Sequence, residues 1–97
     1  MHLSKSEYKA ILSSIQQMGF DKNQILFRKK SGWIKIQLEG ITELFQFHRK
    51  KITKIVEGRF KDHYNYRIKI NGVVKSVDSW NNILSEFDIW LSEIKHG

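Results

Sequence analysis

The chain has 97 residues, a net charge of +7, 40% hydrophobic content and neither Cys nor Pro. That is one domain's worth of chain with enough apolar material for a core, and it excludes a disulfide framework, thiolate chemistry and a disordered polyelectrolyte. No apolar run approaches the roughly 20 residues that span a bilayer, and Met1-His2-Leu3-Ser4-Lys5 lacks the apolar stretch of a secretory leader, so the expectation is a cytoplasmic protein with no membrane role.

The first predicted element is a helix over residues 4–18. Ser4-Lys5-Ser6-Glu7 forms a capping box, flanked by Leu3 and Tyr8 as a hydrophobic staple. Tyr8, Ile11, Leu12, Ile15 and Met18 then recur at three- and four-residue steps, and Gly19 supplies the stop.

Strands follow. Gln24–Lys29 and Trp33–Glu39 flank Lys30-Ser31-Gly32, a hairpin loop with Gly available for positive φ. Next come Glu43–His48, a turn at Arg49-Lys50-Lys51, and Ile52–Phe60. Tyr64–Ile70 and Val73–Val77 flank Asn71-Gly72, the strongest short hairpin signal in the chain. In the strand before that turn, Tyr64, Tyr66, Ile68 and Ile70 face one way while Asn65, Arg67 and Lys69 face the other. In the strand before the basic turn, Phe45 and Phe47 are the expected core pair, opposite Leu44.

A second helix, capped by Asp78 or Ser79, carries Trp80, Ile83, Leu84, Phe87, Trp90, Leu91 and Ile94 on one broad stripe. Short links between successive strands imply an antiparallel meander. The expected architecture is α+β: residues 1–97 as a single α–β(5–6)–α domain. It has a five- or six-stranded antiparallel meander sheet, with the N- and C-terminal helices packed on one face.

The functional signal is the distribution of charge. Residues 28–75 hold thirteen Lys/Arg against four acids, a local +9, while residues 1–27 net +1 and residues 76–97 net −3. A basic sheet between near-neutral or acidic helices suggests a face for an anionic partner, nucleic acid first. The candidate residues are Arg49, Lys50 and Lys51 at an expected loop tip, with Lys54, Arg59, Lys61, Arg67 and Lys69. The competing explanation is a solvated face whose cations blunt sheet edges. Trp33, Phe45, Phe47, Phe60, Tyr64 and Tyr66 offer either stacking platforms or core packing, and alternation with polar residues favours the core.

Other chemistries are weakly represented. His2, His48, His63 and His96 are scattered, with no metal-site spacing, so no metal or other cofactor is expected. Asp62-His63, read as a turn near Glu57, Arg59 and Lys61, offers the acid/base groups of a small RNA-cleaving toxin. Asp78, Glu86, Asp88 and Glu93 on the last helix, with Ile89 among them, form a possible second contact surface. The expectation is therefore a non-enzymatic binding module. The alternative is a protein-interaction adaptor or inhibitor that docks on an acidic protein surface, and the third reading is the toxin.

Overall fold

A computed structural model describes residues 3–97; Met1 and His2, with the histidine and the leader-free start read there, lie outside the described residues. Helix α1 spans Lys5–Gln17. Its capping box forms as expected: the Glu7 amide donates to Ser4 Oγ at 3.2 Å, and the Ser4 amide donates to Glu7 Oε1 at 3.0 Å. The helix stops in a Schellman turn. Gly19 takes φ 85°, and the amides of Gly19 and Phe20 donate to the carbonyls of Gln16 and Ile15. A single 3-10 turn, Lys22–Gln24, leads into the sheet.

Five strands follow in the order of the chain: β1 Ile25–Lys30, β2 Trp33–Leu38, β3 Leu44–Val56, β4 Arg59–Ile70 and β5 Val73–Val77. Every neighbouring pair is antiparallel, giving one open meander. Three of the four links are two-residue turns with both residues at positive φ: Ser31-Gly32 (54°, 82°), Glu57-Gly58 (52°, 74°) and Asn71-Gly72 (51°, 79°). These are type I′ geometries, whose twist matches that of the strands they join.

The sheet has five strands because the turn expected at Arg49-Lys50-Lys51 does not form. That triplet lies inside β3, which runs unbroken past it to Glu57-Gly58, and the register continues from Phe45↔Ile70 to Val56↔Arg59. Consecutive lysines and arginines have no preference for positive φ, whereas Gly58 adopts it without a Cβ penalty. The same register makes Asp62-His63 part of β4 and not a turn.

Helix α2 spans Trp80–His96, with Ser79 as N-cap accepting from the Asn82 amide at 3.3 Å. Both helices lie on one face of the sheet. Ile34, Ile36 and Leu38 of β2, Phe45 and Phe47 of β3 and Ile68 of β4 meet Ile11 and Ile15 of α1 and Ile83, Phe87, Trp90 and Leu91 of α2 in one buried cluster. The aromatic centre is tight: Phe45 lies 5.0 Å from Phe87 and 5.7 Å from Trp90, ring centre to ring centre. Each such side chain contributes about 1.5–3 kcal/mol on burial. The helices also tie to each other, since Lys95 in the last turn of α2 donates to the Met18 carbonyl that ends α1. A cation at that helix end also opposes the α1 dipole. Among the described residues no helix is long and apolar enough to cross a membrane.

Candidate polyanion-binding face

Side chains alternate along each strand, so the register sorts every charge onto one of two faces. The face turned toward the helices holds Lys29, Arg49, Lys51 and Lys75. Three of these are paired with carboxylates: Arg49 Nη1 with Glu7 Oε2 at 2.8 Å, Lys51 Nζ with Asp62 Oδ2 at 3.1 Å and Lys75 Nζ with Glu86 Oε1 at 2.6 Å. Those are all the ion pairs among the described residues.

The open face is different. Counting outward from the core pairs, β1 presents Leu26, Arg28 and Lys30, and β2 presents Trp33, Lys35 and Gln37. Strand β3 presents Leu44, Gln46, His48, Lys50, Ile52, Lys54 and Val56. Strand β4 presents Arg59, Lys61, His63, Asn65, Arg67 and Lys69, and β5 presents Val74 and Ser76. No strand residue on this face is a carboxylate, and none of its cations has an ion-pair partner among the described residues.

Two cation pairs sit directly opposite each other across strands, Arg28↔Lys35 and Lys54↔Lys61. Like charges at such positions destabilise a sheet. A face selected only for solubility would mix signs and avoid them.

Beside the first pair lies an open depression of about 500 Å³. Leu26 and Leu44 supply its apolar lining, and Arg28, Lys29, Lys30 and Lys35 its charge.

One aromatic group belongs to this surface. Trp33 lies 5.4 Å from the His48 ring, and His48 pairs across β4 with Arg67. The site is close-packed at the turn before it, since a Cβ on Gly32 would stand 3.3 Å from the imidazole. Partial burial lowers the His48 pKa below the usual imidazole range, and the charges of Arg67 and Lys50 add to that.

Of the residues singled out in the sequence, Lys50, Lys54, Arg59, Lys61, Arg67 and Lys69 come together on the open face. Arg49 and Lys51 do not. They lie on the helix side of the sheet, Arg49 against α1 and Lys51 beyond it, and Arg49 also stacks over the Tyr64 ring at 5.2 Å. Hydrogen bonding to Lys51 and Thr53 holds the Asp62 carboxyl below the usual carboxylate range, and its bond to Asp62 raises Lys51. Asp62 and His63, being consecutive in a strand, point to opposite faces and share no site. Sequence reasoning missed Arg28, Lys30, Lys35 and the Trp33–His48 pair. Alternation with Ile34 and Ile36 already put Lys35 opposite the core, but only the cross-strand register shows that it joins Arg28 and Lys69 in one row.

Alternation favoured the core for all six aromatics; that holds for Phe45, Phe47 and Tyr66 but not for Trp33, which faces the open side, nor for Phe60 and Tyr64, whose strands run past the helices that would cover them. Phe45 and Phe47 are fully buried and Tyr66 is half-buried, while Phe60 and Tyr64 lie on the helix-side face beyond the helices. On α2, Glu86 is engaged with Lys75, and Ile89 is exposed. Comparison of the chain with protein-family models, with curated proteins and with solved structures gave no match.

Proposed function

We propose that this protein is a non-enzymatic binding module whose open sheet face engages a polyanion, nucleic acid first. The observation that carries the reading is the sorting of charge. Three of the four helix-side cations are neutralised within the chain, while the strands of the open face gather cations with no carboxylate and set two pairs of them in direct opposition. A phosphate backbone relieves that opposition and releases its own counterions on contact. Its cations are spread over four strands, which suits backbone contacts more than recognition of single bases.

The test is a titration of the chain against DNA and RNA, single- and double-stranded, across a range of salt. The reading expects micromolar, sequence-tolerant binding whose logarithm falls linearly with the logarithm of salt concentration. Absence of any shift at tens of micromolar protein in low salt refutes it. Capture by an acidic protein in that case would transfer the same face to the adaptor or inhibitor role, and loss of RNA integrity on incubation would point to the toxin.

A further inference from the structure

The β3–β4 hairpin outruns the body of the protein. The last buried pair along it is Phe47↔Ile68, and Arg49↔Tyr66 is anchored by α1 through Glu7. Beyond that point both strands continue unsupported, from Lys50 to Val56 and back from Arg59 to Asn65. Within this stretch every residue but Ile52 is exposed. At ~3.3 Å per residue the ribbon reaches about 23 Å past the helices. This accounts for the elongated shape of the molecule, 50 × 27 × 22 Å.

The two sides of the ribbon differ. The open side carries Lys50, Lys54, Lys61 and Arg59, continuous with the basic face and without a carboxylate. On the helix side Lys51 and Asp62 neutralise each other, and the tip shows Ile55 and Phe60 as a cross-strand pair. These two are 70% and 78% exposed, more than any other large hydrophobic among the described residues. A two-stranded ribbon with cations along its open side and a single acid, Glu57, at its turn, held at a fixed register by its own ladder, has the form of a groove reader.

We propose that this ribbon enters the major groove of duplex DNA. The proposal rests on the polyanion reading above and narrows it to one class of nucleic acid. The B-form major groove, about 12 Å wide, admits a two-stranded β-ribbon, whereas the A-form RNA major groove is too deep and narrow for side chains to read. A single strand offers no groove. In the groove the open side faces the DNA: Lys50, Lys54, Arg59 and Lys61 meet phosphates, and Ile52 and Val56 on the same side meet the apolar surface of thymine methyls at the base edges.

The experiment compares the full chain with a shortened chain in which Asn-Gly replaces residues 51–64. Lys50 and Asn65 are directly paired, so a two-residue turn between them keeps the register of everything below. Binding is measured against a 20-base-pair DNA duplex, the same sequence as an RNA duplex, and each single strand. The full chain should prefer duplex DNA at least tenfold, and the shortened chain should lose that preference while its thermal midpoint stays within a few degrees. A second variant, Lys54→Gln with Lys61→Gln, leaves the ladder intact. It should lower the salt slope on duplex DNA by nearly two, one for each phosphate contact.

Equal affinity for duplex DNA and duplex RNA overturns the proposal. So does full retention of DNA binding by the shortened chain, or an unchanged salt slope in the double variant. In those cases polyanion binding by the body of the sheet survives. Binding to phosphatidylserine vesicles but to no nucleic acid overturns both.

Discussion

Arg49 and Lys50 are adjacent in sequence and opposite in role, which makes them a sharp test of the register. Arg49 turns toward α1 and meets Glu7, the one buried charged residue among those described, through Nη1 at 2.8 Å and Nη2 at 3.5 Å. Glu7 also holds the capping box, so removing Arg49 leaves a carboxylate that cannot move away without uncapping α1. Breaking a fully buried pair costs about 3–5 kcal/mol, and an exposed pair is worth about 0–1 kcal/mol. With the two side chains 23% and 11% exposed, Arg49→Ala should cost about 2–3 kcal/mol, which interpolates between those limits. For a domain of this size that lowers the melting midpoint by roughly 10–20 °C. Lys50→Glu, on the open face with no partner, should leave stability within about 0.5 kcal/mol. It should weaken polyanion binding and reduce the salt slope by about one. Thermal unfolding followed by circular dichroism, with fluorescence-anisotropy titrations at several salt concentrations, reads both effects. If Arg49→Ala melts at the parent temperature, or if Lys50→Glu melts low and binds normally, the assignment of faces is wrong.

Trp90→Ala should cost about 3–5 kcal/mol in denaturant unfolding, because α2 closes the core through a side chain that is 1% exposed. Trp90→Phe should cost less, since it keeps an aromatic ring in the core, though a smaller one, and removes an indole N–H that is buried without a hydrogen-bond partner among the described residues. Gly72→Val should destabilise by about 1–3 kcal/mol, because φ is 79° there and a β-branched residue resists the left-handed region. The folded chain binds a proton on His48 less readily than the unfolded chain does. Its contribution to stability is therefore present above about pH 6.5 and lost as pH falls below it. Phosphates beside Arg67 and Lys50 would reverse that bias, so polyanion affinity should rise as pH falls from 7.5 to 5.5. Following the His48 ring protons by NMR, with and without DNA, checks the sign, and His48→Gln should flatten the profile.

Much of the fold was legible because local chemistry and tertiary structure agree. Ser4, Glu7 and Gly19 bound α1 as capping rules require, Asn71-Gly72 turns as its dipeptide demands, and the stripe from Trp80 to Ile94 packs as its period implies. The misreading arose where two local signals competed. Arg49-Lys50-Lys51 looked like a polar turn, whereas Glu57-Gly58 carried the backbone freedom that a two-residue turn needs. Moving that turn merged two expected strands into β3 and converted a basic loop tip into two faces of a ribbon. The site was half-legible for a related reason. Alternation fixes which residues of one strand share a face, but the meeting of Arg28, Lys35 and Lys69 depends on register among four strands, as does the diversion of Arg49 to a glutamate 42 positions away. Neither is local information.

The meander has a consequence for how the chain reaches its native state. Each strand pairs with its neighbour in sequence through turns that close in microseconds, so the hairpins can zip in order as the polypeptide lengthens. The apolar face they create, with Phe45, Phe47, Ile36 and Ile68 on it, is not covered by them. Its main cover, α2, follows the last strand in the chain. During synthesis, at roughly 5–20 residues per second, a paired but uncovered sheet therefore persists for seconds before Ile83, Phe87, Trp90 and Leu91 arrive. Folding of this protein is committed by its sheet and completed by its last helix. Until α2 is made and clear of the ribosome, the nascent chain is a sticky intermediate that a chaperone would have to shield.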